Sequence, residues 1–198
     1  MKHIILITGG QRSGKSRHAE ELALSLSTNP VYLATAHVWD EEFRERVRIH
    51  QQRRGPQWTN IEEERHLSRH DLTGRVVVID CVTLWLTNLI TPEDPEYPES
   101  PEYPEYPEYP ENPEPPENPE YPAAPTATIL AAAEAEFDAF TARDATYIFV
   151  TNEIGSGGVS PNALQRRFTD LEGWMNQYIA ARADEVILMV SGIAVKIK

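Results

Sequence analysis

Residues 9–16 read Gly-Gly-Gln-Arg-Ser-Gly-Lys-Ser, the spacing of a Walker A phosphate loop. Gly9 and Gly14 let the backbone curl so that its N–H groups point inward at phosphate oxygens. The helix that follows adds the positive end of its dipole. Lys15 places an ammonium on the β- and γ-phosphates, and Ser16 offers a hydroxyl to Mg²⁺. An apolar run, Ile4 to Ile7, precedes the loop, and Ala19, Leu22, Ala23 and Leu26 follow it at helical spacing. That is the strand–loop–helix setting the motif requires. The competing reading is a Gly-rich turn with an incidental lysine.

Two more side chains have the right chemistry. Asp80 ends the run Val76-Val77-Val78-Ile79, the position of a Walker B carboxylate that holds Mg²⁺ directly or through water near Ser16, on what is expected to be the neighbouring strand end. The alternative is an acid capping the helix that starts near Val82. His50 lies towards the end of a helix opened by Asp40, on one face with Phe43 and Val47. Such a histidine is usually just partly buried. Here arginines at 46, 48, 53 and 54 surround it and suit a triphosphate. Imidazole is also a covalent nucleophile towards phosphorus.

These residues need a scaffold, and the chain alternates strand and helix around them. Strands are expected at His3–Thr8, Val31–Ala36, Arg75–Asp80, Tyr147–Thr151, Glu185–Val190 and Ala194–Ile197. Helical patterns fall at Ser16–Leu26, Glu41–Arg53, Val82–Ile90, Ile129–Arg143 and Pro161–Ala183. Ser160 is positioned to cap the last of these, with Pro161 in its first turn. Leu164, Phe168, Leu171, Met175 and Tyr178 then form one apolar stripe, expected in the core. Continuous apolar strands alternating with helices imply an α/β fold: a mostly parallel sheet flanked by helices. Ligands of such sheets bind at the carboxyl ends of the strands. Asn152 and Glu153 follow one such end, where pocket lining and loop capping are both open.

Composition fits a single domain over 1–198, interrupted by one low-complexity insertion at 92–125. That insertion repeats Pro-Glu-Tyr and holds 13 of the 16 prolines, 11 of the 31 acids and no Lys or Arg. Proline at this density excludes helix and ladder pairing, which leaves an extended or disordered strap. Fully extended it would reach ~100 Å, at ~3.1 Å per residue. It reads either as a docking strap or as a surface loop lengthened by repeat expansion. Without it, the formal charge of −13 falls to about −2, with 20 acids against 18 bases. No basic surface for nucleic acid is implied. Cys81 is the only cysteine, so no internal disulfide forms. The N-terminal aliphatic run is too short for a signal peptide or membrane span, and a cytoplasmic location is expected.

Distinctive segments occur in order along the chain. They are Thr-Gly-Gly-Gln-Arg-Ser-Gly-Lys-Ser-Arg-His-Ala-Glu (8–20), Tyr-Leu-Ala-Thr-Ala (32–36) and Arg-Val-Arg-Ile-His (46–50). Further on come Asp-Cys-Val-Thr-Leu-Trp-Leu-Thr-Asn-Leu (80–89), Thr-Asn-Glu-Ile-Gly-Ser-Gly-Gly-Val-Ser-Pro (151–161) and Val-Ser-Gly-Ile-Ala-Val-Lys-Ile-Lys (190–198). With these segments the chain resembles the bifunctional adenosylcobinamide kinase/adenosylcobinamide-phosphate guanylyltransferase family of cobalamin assembly, everywhere except the strap. The resemblance implies a P-loop, RecA-like sheet and a homotrimer. It implies that a nucleoside triphosphate, ATP or GTP, with Mg²⁺ phosphorylates adenosylcobinamide. GTP then guanylylates the enzyme, and GMP passes to adenosylcobinamide phosphate. The position matching the guanylylated histidine is His50, and Lys15 is the second catalytic residue. Nucleotide contacts carry over to Gly9, Gly10, Gln11, Arg12, Ser13, Gly14, Lys15 and Ser16, and to Ala34, Thr35 and Ala36. They carry over also to Gln51, Gln52, Arg53, Arg54, Glu62 and Asp80, with Ser16 and Asp80 on the metal. His18 follows the loop on its helix and is read as structural.

Two other readings account for the residues alone. A plain P-loop small-molecule kinase would need no guanylylated histidine. A nucleotide-gated interaction protein would use the strap for docking, although no Asn-Lys-x-Asp guanine motif is present.

Overall fold

Aliphatic runs become the sheet. The computed structural model describes residues 1–37, 41, 44, 48, 54–91 and 125–198. Its strands are β1 (His3–Gly9), β2 (Val31–Ala34), β3 (Thr59–Glu62), β4 (Val76–Asp80), β5 (Thr146–Val150), β6 (Glu185–Val190) and β7 (Ile193–Lys196). They form one sheet in the order β3-β2-β4-β5-β1-β6-β7. Every pairing from β3 across to β6 is parallel, and β7 returns antiparallel along β6. The described helices are α1 (Lys15–Leu26), α2 (Val82–Ile90), α3 (Thr126–Phe140) and α4 (Ala163–Arg182).

Alternate strand residues point to opposite sides of a sheet, and both sides are covered here. Ile5, Ile7, Tyr32, Val78 and Ile148 pack with Ala19 and Ala23 of α1. Ile4, Leu6, Leu33, Ile79 and Phe149 pack on the other side with Trp85 of α2, Phe137 of α3, and Leu171 and Met175 of α4. Burial on both faces is why these strands read as unbroken apolar runs. Asp80 shares its parity with Val78 and so belongs to the α1 side, the side of the phosphate loop.

The structure corrects several expectations. β3 was not anticipated: Thr-Asn-Ile-Glu is a short, largely exposed edge strand with no apolar alternation. β1 and β4 are not neighbours, because β5 lies between them. Val150 pairs with Ile7 on one side and Asp80 on the other, which sets those two backbones about 10 Å apart at ordinary strand spacing. α4 is capped by Asn162, whose Oδ1 accepts from the Gln165 N–H at 3.0 Å, and not by Ser160. Ser160 instead accepts from the Asn162 N–H at 3.1 Å, bracing the cap. Leu164 leaves the expected core stripe and is 49 % exposed, since it sits in the first turn before α4 meets the sheet. Leu171 and Met175 are buried, while Phe168 and Tyr178 pack at the margin. Of the helix expected over Glu41–Arg53, residues 41, 44 and 48 are described and are helical. The strap lies outside the described residues except for Pro125, which precedes α3 and starts that helix three residues before the expected Ile129.

Candidate active site

The phosphate loop joins β1 to α1, and its shape follows from its residues. Gly9 has φ +146°, and a Cβ there would lie 2.4 Å from the Met189 carbonyl oxygen. Gly14 has φ +98° and stands at the N-terminus of α1. No other residue type fits Gly9 without displacing β6. The β6–β7 turn braces the loop from outside, with the Gly192 N–H donating to the Ser13 carbonyl at 2.9 Å. This buttress was not read from the sequence, although Val190-Ser191-Gly192 stands in one of the segments that carried the resemblance.

Inside the loop, Lys15 is buried, and its Nζ donates to the Gly10 carbonyl at 2.7 Å. Burial lowers its pKa, and the nearby Asp80 and Glu172 carboxylates work against that shift. Asp80 is thus close enough for its charge to be felt at the loop lysine. Ser13 is 9 % exposed, and its hydroxyl finds no hydrogen-bond partner among the described residues. A buried hydroxyl and an inward-turned ammonium that touches no carboxylate among the described residues are features an oxyanion would satisfy. Gly10, Gln11 and Arg12 form the exposed crest, and Ser16 is half-buried at the first turn of α1. His18 is half-buried on α1, where its backbone N–H closes the turn on the Gly14 carbonyl.

Asp80 ends β4 and does not cap α2, whose N-cap residue is Cys81. The Tyr32 phenol donates to Asp80 Oδ2 at 2.6 Å. Burial foremost, and then the Asp80 charge, raise the Tyr32 pKa well above its ordinary value, so the phenol stays protonated. Thr35 fixes the next residue. Its hydroxyl donates to the Cys81 carbonyl at 2.7 Å and accepts from the Cys81 N–H at 2.8 Å. The Thr35 side chain is wholly buried and has no surface to offer a ligand. Ala34 and Ala36 flank it, half-buried. The Cys81 thiol is pushed up to about 12 by burial and is inert.

Arg54 is described, and its guanidinium is enclosed. It lies 3.6 Å from the centroid of the Tyr32 ring, 3.8 Å from Glu20 Oε1, and donates from Nε to Asn60 Oδ1 at 2.8 Å. Glu62 is on β3, exposed, in register with Ala34. His50, Gln51, Gln52 and Arg53 lie outside the described residues.

A second network, of which the sequence reading had only Asn152 and Glu153, ties the other strand ends together. Thr83 of α2 donates to Glu172 Oε1 of α4 and accepts from the backbone and side-chain N–H groups of Asn152, both at 3.1 Å. Asn176 accepts from Thr151 Oγ1 at 2.7 Å and donates to the Asn152 carbonyl at 3.0 Å. The Glu153 N–H reaches the Gly9 carbonyl at 3.1 Å. Asn152 and Glu153 therefore hold the β5 end against the phosphate loop. Burial raises the Glu172 carboxyl to about 7.

A parallel sheet with a phosphate loop after β1 and an acid at the end of β4, one strand removed from β1, defines a P-loop nucleotide-binding protein. The family model described as cobinamide kinase/cobinamide phosphate guanyltransferase matches residues 5–197. The chain is 38 % identical over 203 residues to the bifunctional adenosylcobalamin biosynthesis protein CobU of Escherichia coli K12, covering 98 % of this chain and 99 % of that one. The Salmonella typhimurium CobU is 37 % identical with the same coverage. The Pseudomonas aeruginosa CobP is 33 % identical, covering 98 % and 96 %. Among solved structures, the flagellar accessory protein FlaH from Methanocaldococcus jannaschii aligns with a TM-score of 0.43 at 15 % identity, over 100 % of this chain and 80 % of that one. The chain belongs to the cobinamide kinase/cobinamide phosphate guanyltransferase family, and it is a transferase of that family.

Proposed function

We propose that the chain carries out both family reactions from one phosphate cradle. In the first, the aminopropanol hydroxyl of adenosylcobinamide attacks the γ-phosphorus of ATP or GTP and a nucleoside diphosphate leaves. In the second, His50 attacks the α-phosphorus of GTP, pyrophosphate leaves, and a phosphoramidate forms. The phosphate of adenosylcobinamide phosphate then attacks that phosphorus, His50 departs, and adenosylcobinamide-GDP results. The observation that carries the reading is the loop itself: inward Lys15, the buried hydroxyl of Ser13, and Asp80 near enough to act on the lysine. Lys15 and the loop N–H groups neutralise the triphosphate tail and the departing pyrophosphate. Ser16 and Asp80 offer a hydroxyl and a carboxylate, hard oxygen donors of the kind Mg²⁺ takes beside substrate phosphates. Bound there, Mg²⁺ would offset phosphate charge during both displacements.

Ile193 and Val195, exposed, alternate along the edge strand β7, and exposed Ile197 follows just past its end. An apolar edge of this kind favours self-association; the homotrimer we propose follows from the family likeness and is to be checked by light scattering. Among the described residues no helix is long and apolar enough to cross a membrane. The cytoplasmic placement we propose rests on the family likeness.

Product analysis tests the reaction sequence. Protein, Mg²⁺, GTP and adenosylcobinamide should yield adenosylcobinamide phosphate first and adenosylcobinamide-GDP later by mass spectrometry. Accumulation of the phosphate alone would favour the plain kinase.

A further inference from the structure

We propose that Tyr32 is a positioning residue for Asp80. Its phenol occupies one lone pair of Oδ2 and so holds the carboxylate in one orientation, with Oδ1 the oxygen offered to a divalent cation at the phosphate loop. The inference rests on the reading of Asp80 as the metal carboxylate and adds to it a residue that acts through it.

Geometry on three sides supports this. Tyr32 pairs with Val78 in the β2–β4 register, two residues before Asp80 and on the same side of the sheet. Its hydroxyl therefore reaches up the strand to Asp80 Oδ2 at 2.6 Å. A carboxylate only accepts, so the phenol is the donor. The ring is held on its face by the Arg54 guanidinium, 3.6 Å from the centroid, and against Trp58 edge-on at 6.0 Å. Arg54 is itself held by Glu20 and Asn60, with 4 % of its side chain exposed. A phenol that merely filled space would not need this clamp. A group that must keep one lone pair of a metal carboxylate occupied does, because a rotating carboxylate loses its aim.

The test is Mg²⁺-dependent nucleotide binding by calorimetry, with ATP titrated in EDTA and in Mg²⁺. Wild type, Tyr32→Phe, Asp80→Asn and Trp58→Phe are compared. Tyr32→Phe should bind ATP like wild type in EDTA, while its gain in affinity from Mg²⁺ shrinks by about 10-fold. The Mg²⁺ concentration for half-maximal kinase rate should rise in parallel. Trp58→Phe, which disturbs the same cluster but keeps the phenol, should retain the wild-type Mg²⁺ gain. An unchanged gain in Tyr32→Phe, where Asp80→Asn abolishes it, would overturn the role of Tyr32. An equal loss in Trp58→Phe would do the same, reducing Tyr32 to packing. A full gain in Asp80→Asn would instead overturn the underlying assignment of Asp80.

Discussion

Glu172 shows how much one buried side chain governs. It is fully enclosed, and Oε2 finds no hydrogen-bond partner among the described residues. Burial raises its pKa to about 7, with Glu153 adding to the shift and Thr83 and Lys15 opposing it. The folded state therefore holds its proton more tightly than the unfolded chain. The resulting stability is present below the ordinary glutamate pKa and is lost as pH rises through about 7. The loss is on the order of 3 kcal/mol if the whole shift is expressed. Glu172→Gln keeps an acceptor for the Thr83 hydroxyl and cannot ionise. Thermal melts from pH 5 to 8 should show wild type falling relative to the variant, with the difference opening across pH 5–7. Parallel curves would show that the carboxyl does not titrate there. Nothing in the sequence singles out Glu172, because a lone acid in an amphipathic helix reads as solvent-facing. The hydroxyl its carboxylate meets, that of Thr83, is 89 positions away.

At the scale of elements, α4 supplies a direct comparison. Asn162 caps it through a side-chain acceptor, so Asn162→Ala should cost about 1 kcal/mol in urea denaturation, and Ser160→Ala clearly less. The reverse order would restore the cap to Ser160, where the sequence pattern put it. Ser, Pro and Asn all stand at 160–162, and each is plausible at a helix start, so spacing alone could not separate them. The central strands were legible because burial on both faces leaves no polar positions to blur the run. β3 was not, because an exposed edge strand of Thr-Asn-Ile-Glu has neither run nor alternation. The phosphate loop was legible for a different reason. Gly9 faces the β6 backbone and Gly14 opens α1 at positive φ, so steric demands appear directly as residue types. The Tyr32–Arg54–Glu20 cluster was not, since its members come from a strand, a loop and a helix at unrelated spacings.

For the whole molecule, the strap joins α2 to α3 where the fold does not need length. Ile90 and Thr126, its flanking neighbours, line one small groove with Ile129 and Leu171. The two ends are thus already close. Replacing residues 92–124 by a short Gly/Ser linker should leave kinase turnover intact and raise stability slightly, since each halving of loop length is worth about 0.6 kcal/mol. Lost turnover with an unchanged melting temperature would give the strap a part in catalysis or docking.

The central claim is that one chain uses this cradle for covalent guanylyl transfer. The most direct measurement incubates purified protein with Mg²⁺ and GTP labelled at the α-phosphate, beside His50→Ala. We predict label that survives denaturation, is acid-labile and alkali-stable, and is missing from the variant. Wild type that takes up no label while still phosphorylating adenosylcobinamide would contradict the account and leave a kinase.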